Sequence, residues 1–263
     1  MDQSRIAGSH APSNGRDMSA SLHGRVLDRL GLAVCGREIA PGTIMRIEEV
    51  EKQYSVSRSV IREAIRVLES MGLVSSRRRV GVLVLPPSSW NLYDPQVIRW
   101  RLASPARPAQ LRSLTELRIA IEPEAARLSA LRAPLVNASD LMGLSGKLWA
   151  AGEAGDKELF LDLDIQFHSL VLVSSGNEMF AKLENLVSEV LAGRTNYGLM
   201  PTHPHGEALQ YHVDVASAIQ RGDPDGAQRA MLSIMERTMD EMSSIWDTPF
   251  KNTDYIRGSE NRA

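Results

Sequence analysis

Two sets of side chains in this 263-residue chain carry types and spacings suited to chemistry. The first is cationic. Arg58, Arg62 and Arg66 recur every four residues, so on a helix they share one face, and Arg77, Arg78 and Arg79 follow as a tight cluster. Guanidinium forks donate bidentately to phosphate and to the guanine edge, so this pattern suits a polyanion. The second set is ligand-like. Asp164 and His168 lie one helical turn apart, and His212 sits among apolar residues farther on. A carboxylate and two imidazoles are the donor set of a divalent metal ion. Arg118 is a third polar intrusion, on the stripe of Leu114, Ile121 and Ala125. A buried arginine needs an anion, and Glu122, four residues on, is a ready partner within the chain.

The elements that must hold the first set are legible from Leu22 onward. Leu22, Val26, Leu27 and Leu30 have helical spacing, which is lost around Gly36 and Pro41-Gly42. Ile47 to Gln53 makes a short second helix. Ser55-Val56-Ser57 is a turn, with Ser57 placed to cap a third helix from Arg58 to about Met71. Ile61, Ile65 and Leu68 form its inward stripe, and Gly72 ends it. Two strand-like runs, 73–75 and 80–85, then flank Ser76 and the arginine cluster. The order is that of a helix-turn-helix followed by a wing. A lone arginine row would suit a solvated helix better than a DNA contact; the row, the serine turn and the basic wing together reverse that and point to double-stranded DNA. Ser57, Arg58, Ser59, Arg62, Arg66, Arg77, Arg78 and Arg79 are the expected contacts.

The second set belongs to a region that reads helical throughout. After Pro86-Pro87-Ser88-Ser89, helical patterns cover 95–102, 109–131, 138–152, 156–174, 177–194, 206–221 and 224–246. Seven such segments without a strand imply an antiparallel bundle. The expected architecture is therefore mainly α: a loose tail (1–20), a winged helix-turn-helix (21–85), a linker (86–94), an all-helical domain (95–247) and a second tail (248–263). Phe160 and Val171 share the face of Asp164 and His168, and Leu209, Ala216 and Ile219 that of His212, which turns all three candidate ligands inward. A satisfied core histidine is the plainer reading of each imidazole alone. His203 and His205, between Pro201 and Gly206, are read as loop residues at the surface.

Bulk properties set outer bounds. The net charge of −2 hides a split: +4 up to Leu85 and −6 beyond it, so one half alone suits a polyanion. No apolar run nears the ~20 residues of a membrane span, and no signal-peptide stretch precedes residue 20. Cys35 is the single cysteine, so an internal disulfide is excluded, a small buried residue is its plain reading, and the cytoplasm is the expected compartment. No HExxH, P-loop, Rossmann glycine pattern or Ser–His–Asp order marks an enzyme.

The run Tyr54-Ser55-Val56-Ser57-Arg58-Ser59-Val60-Ile61-Arg62-Glu63-Ala64-Ile65-Arg66-Val67-Leu68-Glu69 resembles the recognition core of GntR-family transcription regulators. Gly72-Leu73-Val74 and Arg79-Val80-Gly81-Val82-Leu83-Val84 are similar to that family's wing. The resemblance implies that Arg58 and Arg62 touch DNA and that Gly81 lets the wing approach the minor groove. Val82 and Glu48 depart from it: the family often has Thr at the first, and some relatives have a DNA-contacting Arg at the second, so the resemblance implies no contact from the short second helix. Leu117-Arg118, Glu122-Pro123-Glu124-Ala125-Ala126, Asp164-Ile165-Gln166-Phe167-His168 and His212 with Ala218-Ile219 and Gly222-Asp223 resemble the FCD effector domain of the FadR-type subfamily. By that resemblance Asp164, His168 and His212 hold a divalent metal, with zinc preferred. The fourth ligand position is Ile234, which cannot ligate. Ser89-Trp90-Asn91-Leu92-Tyr93-Asp94-Pro95, with Val97-Ile98-Arg99-Trp100, is similar to the linker of the branch that includes galactonate and related sugar-acid regulators. The two tryptophans would wedge that linker between the domains. A sugar acid is then the expected effector, with Arg118 its leading carboxylate partner and Arg194 and Asn196 secondary ones. The expected protein is a homodimeric repressor, not an enzyme, released from a palindromic operator by its ligand. A metal-dependent enzyme with an appended DNA-binding domain and a ligand-free architectural dimer are the alternatives.

Overall fold

The computed structural model describes residues 14–201 and 203–246, with side chains from 22 to 201 and from 203 to 243. The described residues form two compact units, one up to Asn91 and one from Leu92. Residues 1–13 and 247–263, most of the two expected tails, lie outside the described residues.

The first unit contains α1 (Asn14–Cys35), β1 (Ile44–Met45), α2 (Ile47–Tyr54), α3 (Arg58–Ser70), β2 (Val74–Arg77) and β3 (Gly81–Val84). Helix α1 starts inside the stretch read as a tail, because the apolar period that reveals it begins only at Leu22. α1 and α2 both pack on α3, whose Ile61, Ala64, Ile65 and Leu68 are buried. Burying side chains of this size stabilises by roughly 1.5–3 kcal/mol each for the large ones. The sheet has three antiparallel strands in the order β1-β3-β2. Two corrections follow. The expected hairpin has a third strand at its edge, β1, too short at two residues to leave a pattern. The wing strand also runs farther than expected: Ser76 and Arg77 pair with Val82 and Gly81, leaving Arg78, Arg79 and Val80 as the turn.

Two glycines are required here by close approach. Gly81 has φ +131°, and a Cβ there would stand 2.7 Å from the Met45 carbonyl oxygen of β1. Gly72 has φ +75°, and a Cβ there would collide with the Ser89 carbonyl oxygen. Pro86 to Asn91 thus returns across the end of α3 with a single 3-10 turn (Pro87–Ser89). Asn91 N–H donates to Met71 O, and Trp90 Nε1 donates to Leu85 O.

The second unit is an antiparallel bundle of α4 (Pro95–Leu102), α5 (Arg107–Arg132), α6 (Leu135–Ala154), α7 (Lys157–Ser174), α8 (Glu178–Ala181), α9 (Glu184–Asn196), α10 (Gly206–Arg221) and α11 (Pro224–Trp246). Asp94 caps α4 by accepting from the Gln96 and Val97 N–H groups, and Asp156 caps α7 at Leu159. α5 packs against α11, α7 and α10, and α6 against α7 and α10. Leu111, Leu141, Leu148, Phe167 and Leu172 are fully enclosed at the centre, and Trp100 is buried on α4. The segment expected as one helix over 177–194 is two, broken at Lys182-Leu183. No proline or glycine marks that break, so the apolar period runs straight across it. Among the described residues, no helix is long and apolar enough to cross a membrane.

Candidate functional site

The two charged sets occupy two different sites. In the first unit, α2, α3 and the wing line an open groove of about 1280 Å³. Arg58, Arg62 and Arg66 of α3 and Arg77, Arg78 and Arg79 of the wing line it, with Gly81 at its wall. Sequence reasoning missed Arg46, at the N-cap of α2, which lines the same groove. Ser57 occupies the N-cap of α3, but its hydroxyl pairs with Ser59 Oγ at 2.9 Å instead of closing the first turn. These two serines are exposed and are not among the groove-lining residues. Gly81 has a reason internal to the fold, the closeness of β1. Val82, the next residue, is buried. Glu48 is ion-paired with Arg58, Nη2 to Oε1, at 3.0 Å.

In the second unit, five helices bring polar groups to one cavity of about 480 Å³. α7 contributes Asp164 and His168, α10 His212, α5 Arg118, α9 Arg194, and α11 Ile234, Thr238 and Glu241. One ligand atom from each of Asp164, His168 and His212 lies within 4.8 Å of the others, and all three residues are buried. His212 Nε2 is 3.2 Å and His168 Nε2 is 3.4 Å from the same oxygen, Asp164 Oδ1. Each ring turns its other nitrogen away from that point. His212 Nδ1 lies 2.8 Å from Ala208 O, and His168 Nδ1 lies 2.6 Å from Glu122 Oε2, its N–H misaligned with the oxygen. Phe167, which sequence reasoning overlooked, stands edge-on to both imidazoles at 5.7 and 5.2 Å and fixes their planes.

The buried charges balance locally. Arg118 donates from Nε to Glu122 Oε1 at 2.5 Å and from Nη2 to Oε2 at 3.3 Å, with both side chains 1% exposed. Burial works against the Glu122 charge, yet Arg118 and then His168 outweigh it and hold the carboxyl at about 2. For His168, burial favours the neutral ring, but Glu122 and Asp164 prevail and raise it to about 9. Burial opposes the Asp164 charge as well, and the bonds from His168 and His212 keep this carboxyl far below the usual carboxylate range. Arg194 is pulled down to about 10, first by burial and then by the charge of Arg118, with Glu241 opposing.

Arg118 therefore stands where expected but is partly spent on Glu122. Only its Nη1 lacks a partner among the described residues. Arg194 donates from Nη1 to Thr238 Oγ1 and from Nη2 to Glu241 Oε2, leaving its Nε without one. Thr238 and Glu241 were overlooked, although they interrupt one face of α11 at Ile234, Thr238 and Glu241, a spacing visible in the sequence. Asn196 is corrected: it is exposed at the end of α9 and does not line the cavity. Two residues rotate a helix by about 200°, so Asn196 cannot share the inward face of Arg194. Ile234 lines the cavity with the three candidate ligands, at the position expected for a fourth. His203 and His205 are exposed.

Both units match known families. Residues 22–84 match the family described as bacterial regulatory proteins, gntR family, and residues 113–237 match the FCD domain family. The galactonate operon transcriptional repressor of Escherichia coli K12 is 28% identical over 232 residues, 87% of this chain and 100% of that protein. The Uxu operon transcriptional regulator of the same organism is 29% identical, across 77% of this chain and 80% of its own length. The fold is shared with Lar, which controls expression of the Listeria monocytogenes agr system. That likeness has a TM-score of 0.54 at 16% identity and covers 85% of this chain and 97% of the other. These families and relatives are regulators of transcription and not enzymes. A winged helix-turn-helix that matches one family and a helical bundle that matches the other, in this order, make the chain a member of the GntR family of transcription regulators, of the kind that carries an FCD domain.

Proposed function

We propose that the chain is a repressor, working as a homodimer on a palindromic operator, and that its bundle senses a small carboxylate in the cavity of Arg118 and Arg194. The observation that carries the sensing role is the pair of arginine N–H groups, Arg118 Nη1 and Arg194 Nε, buried at one cavity without acceptors. Leaving a buried cationic donor unmade is costly, and an anion of matching size removes that cost. A hydroxylated sugar acid is the leading class, because the galactonate operon repressor aligns over its whole length. Arg194 and Arg118 hold the carboxylate, while Thr238 and Asp164 lie on the same wall to take hydroxyls.

The donor set beside that cavity suits a divalent ion. His212 commits Nδ1 to Ala208 O, His168 places its Nδ1 2.6 Å from Glu122, and both turn Nε2 towards Asp164. This is how metal-binding imidazoles are oriented. Asp164, His168 and His212 would hold zinc or a similar ion, and when bound it would supply a Lewis-acid site for an effector oxygen. Ile234 adds no ligand, which leaves the coordination open towards the cavity. Effector binding then favours one arrangement of the bundle by its differential affinity, and the operator is released.

A thermal-shift screen of aldonic and uronic acids, each with and without zinc, tests the reading. A stabilised hit that is lost in Arg194→Lys supports it, since lysine keeps the charge but not the fork. No hit under any metal condition would sink the sensor and leave a dimerising bundle.

A further inference from the structure

We propose that Glu48 discriminates between operator sequences: its carboxylate, held beside Arg58, accepts from the cytosine N4 amino group at one base pair of each half-site. Much of the cationic lining of the first unit's groove serves affinity without sequence. Its arginines neutralise phosphates wherever a duplex is presented, and such contacts carry no information about the bases. Two carboxylates line it. Glu69 is committed to the fold, since its two oxygens accept from Ser76 N–H at 2.7 Å and Ser76 Oγ at 3.3 Å and tie α3 to β2. Glu48 has no such duty. Its contact among the described residues is Arg58 Nη2 at 3.0 Å, and the two side chains are 60% and 57% exposed.

Fold stability gives little reason for that pair. Ion pairs this exposed contribute little, and Glu49 in the same first turn of α2 also complements the helix dipole. At the DNA surface the same carboxylate has a large and selective effect. It is repelled by the phosphates and by the acceptor edges of guanine (O6, N7) and thymine (O4). That repulsion is relieved where a donor edge meets it, and cytosine N4 is the partner such a group accepts from. Arg58 is the first residue of the recognition helix, the end that meets base edges. With Nη2 held by Glu48, its remaining N–H edge stays available to a neighbouring guanine. The arginines draw in any duplex, and Glu48 makes the wrong ones expensive, which is how specificity is built by rejection.

The test is in vitro selection from a randomised duplex pool with the full-length wild type, Glu48→Gln and Glu48→Ala, followed by titration of the selected sites. The wild type should enrich a half-site containing one cytosine whose replacement weakens binding about tenfold. Glu48→Gln should move the preference at that pair towards adenine, because an amide both donates to N7 and accepts from N6. Glu48→Ala should flatten the preference at that pair alone and bind unselected DNA a few-fold more tightly. The thermal midpoints of both variants should match the wild type. An identical motif at every position for all three proteins would overturn the proposal. So would an even loss across the half-site, which would make Glu48 a mere prop for Arg58. Failure of the wild type to enrich any motif would instead refute operator reading by this unit as a whole, and the proposal with it. The carboxylate-sensing role of the bundle would be untouched by any of these results.

Discussion

Arginine does opposite work in the two units. In the groove, Arg62, Arg66, Arg77, Arg78 and Arg79 are exposed, and where one is paired, as Arg66 is with Glu63 at 3.1 Å, the partner is exposed too. In the cavity, Arg118 and Arg194 are buried, with their partners Glu122 and Thr238 buried beside them and Glu241 half-buried. Water screens the first group, so those charges are free to be spent on phosphates and are worth little to folding. The second group has already lost its water, so every N–H must be met by the fold or by a ligand. An exposed cation advertises to any anion; a buried one with a single open N–H asks for an anion of one shape.

The contrast is broken most sharply by removing one carboxylate from each setting. Glu122→Gln leaves Arg118 buried without its counter-charge and should cost about 3–5 kcal/mol of unfolding free energy. Glu63→Gln on α3 should change it by no more than ~0.5 kcal/mol. Urea unfolding of both variants decides this, and equal effects would mean that burial does not separate the two sites.

Next comes the groove's central arginine. Arg62→Ala should remove a base or phosphate contact from each half-site, about 1–3 kcal/mol apiece, while the thermal midpoint stays put. A mobility-shift titration that finds specific binding intact would show that α3 does not enter the major groove by this face.

The cavity should respond to pH with a sign set by its proton. His168 has a folded value of about 9, above its ordinary 6.5. In metal-stripped protein its contribution to stability is therefore complete below pH 6.5 and lost as pH rises through 9. The depressed Glu122 and Asp164 act only at the acidic end, below about pH 4.5, outside this window. Zinc must displace the His168 proton, so between pH 6 and 8 its affinity should rise up to tenfold per unit, or about 1.4 kcal/mol. Titration calorimetry in two buffers of different ionisation enthalpy would count the released proton; a count of zero denies zinc this histidine.

Much of this is legible in the sequence because helices repeat. Spacing of four places Arg58, Arg62 and Arg66 on one face, and it places Asp164 above His168 and Arg118 above Glu122. What spacing cannot show is which faces meet. Glu122 reaches His168 across 46 positions of sequence, and His212 reaches Asp164 across 48. Those contacts depend on how α5, α7 and α10 cross, and no local period encodes a crossing. Arg194 and Asn196 look alike in the sequence because both end one helix; only the bundle distinguishes the inward one. β1 leaves no signal because two residues make no alternation, and Glu48 is visible as a departure without its partner Arg58.

A smaller gain is expected at the tip of the wing, where the groove's arginines meet a backbone limit. Arg79 sits at φ +63°, a left-handed conformation that costs a residue with a Cβ roughly 1 kcal/mol relative to glycine. Arg79→Gly should therefore raise the stability of the first unit by up to about 1 kcal/mol. The same change removes one cation per protomer. If that cation rests on phosphate, the slope of log K against log salt should lessen by about 0.9 for each phosphate no longer neutralised. Gain in stability joined to a weaker salt dependence would mean that the strain is retained because it carries the guanidinium to the DNA backbone. A gain in stability with an unchanged slope would detach Arg79 from phosphate and leave Arg77 and Arg78 as the wing's anchors.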